Sequence, residues 1–325
     1  MILMQELKNI KKTSKSGAGA LVVSPTRGSQ AERREGTEFG KGALDRKRIA
    51  IVGIGLIGGS LAIQLHEKKL SSRLIGVDSN EEHAQKALEL ELVDEILSLD
   101  EAIAQSDVIV LAIPVDKLVD LLPSIMDKID QQIVIDLGST KSQLIDSIKD
   151  HPKRGRYVAT HPMWGTEYSG PQAAVRGAYE NKAVIICNAN ESDADALEWV
   201  KGMYKKIGMH LLEMEAKAHD LHAAYVSHIS HITSFALANT VLKKEKEEKA
   251  IFELASAGFE STVRLAKSNP AMWVPIFMQN KVNVLDVLTE HIAQLTKFKE
   301  SIEKGDNDLL QGLIEDANKI RKIIK

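Results

Sequence analysis

The sequence of 325 residues holds a single cysteine, Cys187, few aromatic residues (4%), and no apolar run near the ~18 residues that span a bilayer. One cysteine excludes an internal disulfide framework and fits a reducing compartment. Cys187 ends the apolar run Ala183-Val184-Ile185-Ile186-Cys187 and reads as a buried strand residue. Strong charge of either sign is also missing, with a net charge of −3 and a pI near 6.4. That balance offers no general attraction to nucleic acid or to an anionic membrane. A cysteine pair and an H-E-x-x-H run, common marks of a zinc site, are absent too. What is present, 44% hydrophobic and 27% charged residues, is the balance of a soluble globular protein long enough for two domains. The cytoplasm is the expected location.

Residues 1–47 are rich in Gly, Ser, Lys and Arg with little apolar periodicity, and read as a flexible extension. Up to Ala31 they carry five basic residues and one acid, Glu6, a bias that an organelle transit peptide would share. From Arg48 onward short apolar runs alternate with helical patterns. The expected strands are Ile49–Val52, Arg73–Val77, Val108–Ile113, Ile133–Leu137, Tyr157–Thr160, Ala183–Cys187 and His210–Leu212. This rhythm predicts a doubly wound, mostly parallel α/β sheet over 48–214. Beyond Met214 glycine and proline thin out, and long helices are expected from 215 to 325, broken near Lys249, Ser268 and Lys304.

Ile49-Ala50-Ile51-Val52 leads directly into Gly53-Ile54-Gly55-Leu56-Ile57-Gly58, a G-x-G-x-x-G run between a strand and a helix. Gly53 permits the tight turn, Gly55 lets backbone approach a pyrophosphate, and Gly58 lets the helix pack close to the strand. The first N–H groups of that helix, including those at Leu56 and Ile57, face the phosphate charge. Asp78 follows twenty residues after Gly58, at the end of the next strand. A carboxylate there binds ribose hydroxyls and repels a 2′-phosphate, so a Rossmann-type domain binding NAD rather than NADP is expected.

The stretch Thr160-His161-Pro162-Met163-Trp164-Gly165-Thr166-Glu167-Tyr168-Ser169-Gly170 sets an imidazole and a carboxylate among turn-forming residues just past a strand. That is a usual placement for a general acid or base, although loop histidines are often only solvated. Ser139 and Thr140 lie at a second strand-to-helix junction, where they can cap the helix or touch a ligand. His219, His222, His228 and His231 invite a metal reading. On one straight helix at 100° per residue, however, the first two centre opposite the last two. No single ion gathers all four and no metal is expected; His228 and His231 are the better pair to face a site, leaving the others to solvent. Glu260 and Arg264, one helical turn apart, suit either a surface ion pair or a guanidinium fork on a substrate carboxylate.

In this order the segments Gly53–Gly58 with Asp78, Asp136–Lys141, His161–Gly170, Ser227–His231 and Phe259–Trp273 resemble the prephenate dehydrogenase family, from about residue 48 to the end. The resemblance implies a nucleotide domain and a helical domain that forms a homodimer. It also implies oxidative decarboxylation of prephenate with NAD to 4-hydroxyphenylpyruvate, the tyrosine precursor. His161 would accept the ring hydroxyl proton, with Ser139 beside the hydroxyl and the nicotinamide. Arg264 would bind the ring carboxylate, with Glu167 nearby, and His231 and His228 would support the pocket. Three positions depart from the pattern: Trp164 replaces a small residue and is expected to narrow the pocket, while Ser261 and Val274-Pro275 replace charged groups around Arg264, a loss Glu260 can offset. Arogenate dehydrogenase, a β-hydroxyacid dehydrogenase and a catalytically silent NAD-binding sensor are the competing readings.

Overall fold

Side chains alternate sides along a strand, and the central runs of this chain are apolar on both, a pattern that requires a sheet covered on each face. The computed structural model describes residues 44–248 and 250–323. Its strands are β1 (Lys47–Val52), β2 (Ser71–Val77), β3 (Glu95–Ile96), β4 (Val108–Leu111), β5 (Ile133–Asp136), β6 (Tyr157–Pro162), β7 (Ala183–Cys187) and β8 (His210–Met214). They form one sheet in the order β3-β2-β1-β4-β5-β6-β7-β8, parallel throughout except between β6 and β7. The chain order reverses between β1 and β4, and ligands of such sheets bind outside the carboxyl ends of strands at that point.

Ile49, Ile51, Val108, Val110, Ile133, Ile135 and Val158 enter one core with α1 (Leu56–Glu67), α2 (Glu81–Glu89) and α6 (Ala194–Ile207). Their strand neighbours Ile109, Leu111, Val134, Tyr157 and Ala159 enter a second core. There they meet α3 (Leu99–Gln105), α4 (Val115–Lys128) and α5 (Ser142–Ser147). The second core also takes Ala216, Trp273 and Ile276 from the helices that follow the sheet. Those helices are α7 (Ala216–Ala223), a π-helical segment Ala224–His228, α8 (Ile229–Glu245), α9 (Ala257–Val263), α10 (Pro270–Gln279), α11 (Lys281–Lys304) and α12 (Asn307–Asn318). The helical region therefore packs on the same face of the sheet as α3, α4 and α5. No helix among the described residues is long and apolar enough to cross a membrane.

The sheet and its central helices follow the sequence reading; several details do not. β3 and α3 were not expected, although Ser98 and Glu101 form a capping box that the spacing Ser-x-x-Glu announces. Residues 250–268 are not one helix, since Arg264–Lys267 is 3-10 and α9 is only seven residues long. Asn280 interrupts the expected helix from Pro270 to Lys304, and its side chain donates to the Asp220 carbonyl instead. The flexible extension read over 1–47 lies outside the described residues up to residue 43, and Lys47 already opens β1.

Candidate active site

The turn after β1 is shaped by its glycines. Gly53 sits at φ +90°, and a Cβ there would meet the Ala112 carbonyl oxygen at 2.6 Å. A Cβ on Gly58 would run into the Gly53 carbonyl oxygen, whereas one on Gly55 would meet nothing within 4 Å. Backbone is therefore pressed together on one side of the turn and left open on the other. No side chain caps α1 and no acid occupies its first turn, so the N–H groups at its start, with the helix dipole, meet that open side. Asp78 accepts from Ile54 N at 3.0 Å and Asn80 N at 2.9 Å, which fixes its carboxylate at the end of β2. An open glycine turn, an uncapped helix and a positioned carboxylate fit a dinucleotide with free ribose hydroxyls.

Two strands away, β5 ends in a fully buried ion pair between Asp136 and Lys141. The Asp136 carboxylate also accepts from Tyr157 Oη at 2.7 Å, Gly138 N at 2.9 Å and Thr160 N at 3.2 Å. These bonds satisfy a charge that burial would otherwise penalise, and they brace the loop that carries half-buried Ser139. Neither Ser139 nor Thr140 caps α5: Thr140 Oγ1 donates to Gln279 Oε1, and the cap comes from Asp220 of α7. Its two carboxylate oxygens accept Lys141 N and Ser142 N, each at 2.8 Å.

β5 and β6 are parallel with Asp136 opposite Ala159, so Ser139 and His161 both stand at the carboxyl edge of the sheet. His161 lies within β6 rather than on a loop, paired across from Ile185 of β7. Pro162 does not break the ladder to β7, where Met163 N donates to the Ala183 carbonyl at 2.8 Å, and the pairing of β6 with β5 has already ended at Ala159. The His161 Nδ1 lies 2.8 Å from His219 Nε2, and His219 Nδ1 lies 2.9 Å from Asp220 Oδ1. Burial, followed by His219, Lys141 and His228, pushes the His161 imidazole well below its ordinary value, which keeps it unprotonated near neutral pH. Burial raises the Asp220 carboxyl, but the hydrogen bonds from His219 and Ser142 outweigh it and hold the group below the usual carboxylate range.

His219 is buried, contrary to the expectation that it and His222 meet solvent; only His222 does. The expectation assumed a straight α-helix. The π segment Ala224–His228 adds about one residue to a turn, which turns His228 roughly a quarter-circle back toward the side of His219. Asn280 Nδ2 then reaches His228 Nδ1 at 3.2 Å, and burial pushes His228 down to about 4. His231 stacks on Trp273 with ring centroids 3.4 Å apart and its Nδ1 3.0 Å from the Ser227 carbonyl oxygen. Burial, and Arg264 more weakly, lower its imidazole as well.

Arg264 Nη1 donates to Glu167 Oε2 at 2.9 Å, an ion pair that joins the helical region to the stretch after β6. Glu260 is exposed, and the Arg264 guanidinium pairs with Glu167 instead. Ser261 turns back onto the Gly258 carbonyl, and Val274 is exposed. The half-buried Trp164 ring packs against Tyr179, centroids 5.4 Å apart, and against the first core. Tyr179 Oη donates to the Ile57 carbonyl, so Trp164 seats the His161 stretch beside the glycine turn.

The structure thus brings His161 together with His228, and Arg264 with Glu167, while adding His219, Asp220 and Asn280. One sequence signal for the added pair was available. His219-Asp220 is flanked by Ala216, Ala218, Ala223 and Ala224, small residues that let α7 approach the sheet closely.

A family model described as the nucleotide-binding domain of prephenate dehydrogenase matches residues 61–213, and one described as its dimerization domain matches 215–316. Prephenate dehydrogenase of Bacillus subtilis is 31% identical over 277 residues, covering 84% of this chain and 75% of the relative. Cyclohexadienyl dehydrogenase of Zymomonas mobilis is 29% identical over 282 residues, covering 86% and 96%. The crystal structure of Aquifex aeolicus prephenate dehydrogenase with hydroxyphenyl propionate and NAD+ aligns with a TM-score of 0.79 at 30% identity, covering 87% of this chain and all of that one. With both family models matched in chain order over this sheet and these helices, the chain belongs to the prephenate dehydrogenase family.

Proposed function

We propose that this protein is an NAD-dependent prephenate dehydrogenase, converting prephenate to 4-hydroxyphenylpyruvate and CO2 in tyrosine biosynthesis. The observation that carries the reading is His161, hydrogen-bonded to His219 and held at the same carboxyl edge of the sheet as the glycine turn. Gly53, Gly55, Leu56, Ile57 and Gly58 would hold the pyrophosphate, and Asp78 the adenosine ribose. NAD supplies the hydride acceptor. His161 takes the proton of the ring hydroxyl, which eases departure of hydride from the same carbon. Ser139 lies beside that hydroxyl. Arg264, steadied by Glu167, holds the ring carboxylate until it leaves as CO2, and aromatisation of the ring drives the step forward. His231 on Trp273, with His228 behind, supplies a firm wall for the pocket.

Two further readings complete the proposal. The helical region pairs with a second copy of the chain, supported by the matched dimerization domain and by the apolar side chains it exposes. The enzyme works in the cytoplasm, in keeping with one buried, unpaired cysteine.

The test is a steady-state NADH assay with prephenate and with arogenate, each with NAD and NADP. The expected result is a higher kcat/KM for prephenate with NAD than for any other combination. A preference for arogenate would replace the substrate, and no NADH from either would leave an NAD-binding protein without this activity.

A further inference from the structure

The His161 ring has its Nδ1 at 2.8 Å from another imidazole, whose far nitrogen faces a carboxylate. The protons in this series follow from the donor count. Asp220 accepts two backbone N–H groups as well as His219, a set of donors that favours the ionised carboxylate. His219 Nδ1 must then carry a proton. In a neutral ring its Nε2 can only accept, so the proton between the two rings belongs to His161 Nδ1. That leaves the lone pair of His161 on Nε2, the nitrogen with no protein hydrogen bond among the described residues.

We propose that His219 and Asp220 are positioning residues for this base, holding it in the Nδ1–H tautomer and sharing the proton it gains. The proposal rests on the reading of His161 as the proton acceptor. When Nε2 takes the substrate proton, a charge confined to His161 would sit near the Lys141 ammonium, which disfavours it. Passing the Nδ1 proton to His219 Nε2 moves that charge to a ring in contact with the Asp220 carboxylate. One O–H bond breaks, one N–H bond forms on His161, and one proton crosses the hydrogen bond between the rings. The charged and titratable groups facing the pair are Lys141 and its partner Asp136 from the β5–α5 junction, His228 from the π segment, and Asp220 itself. Among these, Asp220 alone is an anion in contact with either ring, since Asp136 is engaged by Lys141, Tyr157 and backbone N–H groups.

Asp220 also caps α5, the helix that follows the Ser139 loop. One carboxylate from the helical region therefore sets both polar groups assigned to the substrate hydroxyl.

Nitrogen-15 NMR of the full-length protein labelled at histidine reads the tautomers directly and needs neither substrate nor substitution. His161 and His219 are expected as neutral Nδ1–H rings near neutral pH. A proton on His161 Nε2, or a charged His219 in the resting protein, would overturn the proposal. His219→Gln tests the sharing of charge, because its amide can still accept from His161 and donate to Asp220 but cannot take up a proton. Its kcat should fall about tenfold or more, within the ~10²–10⁴-fold of a general base. KM for prephenate and the affinity for NAD should change little, and the acid limb of kcat/KM should shift from its wild-type position. An unmoved limb with near-normal kcat would reduce His219 to packing. Should the wild type form no NADH from prephenate, the functional reading fails by itself, while the NMR result still decides the arrangement.

Discussion

His228 is buried with its imidazole pushed down to about 4 from an ordinary 6.5, and His161 and His231 are shifted the same way. Each is neutral in the fold but takes a proton in the unfolded chain once the pH drops below 6.5. The unfolded state then binds more protons, so stability falls as pH drops from about 6.5 toward 4. His228 alone accounts for a loss of order 3 kcal/mol over that window. Denaturant midpoints between pH 4 and 7.5 check this; a flat profile would mean that these rings are solvated. At the reacting end of the cluster, His161→Asn should lower kcat by ~10²–10⁴-fold with NAD affinity kept, since it removes a proton acceptor and leaves the glycine turn alone. Gly58→Ala should do the reverse and abolish NAD binding by titration, because its Cβ has no room beneath Gly53. His161, Arg264 and the glycines were legible in the sequence, since each stands in a short motif whose chemistry is local. His219 and Asp220 were marked only by the alanines around them, which say nothing of what the pair would meet. Their partners lie 58 and 79 residues away, at His161 and Lys141, and no local pattern carries that distance.

At the scale of elements, strand period and glycine placement made the parallel sheet readable, because β4 and β5 are buried over all four of their residues and only Asp136 among these is not apolar. The two-residue β3 is too short to show a period. The π segment was invisible for a different reason. An α-helix and a π turn have the same composition, and the choice between them is made by packing of α7 on the sheet and of α8 beyond it. Its consequence is large, since it turns His228 toward His219 and so gathers a site that a straight helix would divide. The β5–α5 junction shows a second long-range choice, a lysine buried at the start of a helix solely against Asp136 and its network. Lys141→Met would leave that carboxylate without its cation. A loss of about 3–5 kcal/mol in urea unfolding is expected, with the far-ultraviolet spectrum unchanged for the folded variant. Tyr157, Gly138 and Thr160 still bond Asp136, so a loss well below that range would assign most of the compensation to them.

At the scale of the molecule, the two halves differ in how completely they bury their apolar side chains. The sheet is covered on both faces, whereas α11 leaves Val282, Leu285, Ile292, Leu295 and Ile302 each at least half exposed. Their spacings of three and seven residues keep them on one side of the helix. Met278 of α10 and Leu309 and Ile314 of α12 add to the exposed apolar surface. A surface of this extent is unusual for a monomer, and burial against a second copy would recover roughly 25 cal/mol per Å² of apolar area. The same pairing would be self-complementary, so a charge placed at one position is met twice across the interface. Replacing Ile292 and Leu295 together with aspartate should therefore convert the proposed dimer to monomer in sedimentation velocity at micromolar concentration. The sheet and its NAD affinity should survive, because neither residue contributes to the two cores that hold the glycine turn and Asp78. A wild-type chain already monomeric under those conditions would remove the proposed pairing, and a double variant that stayed dimeric would move it to another face.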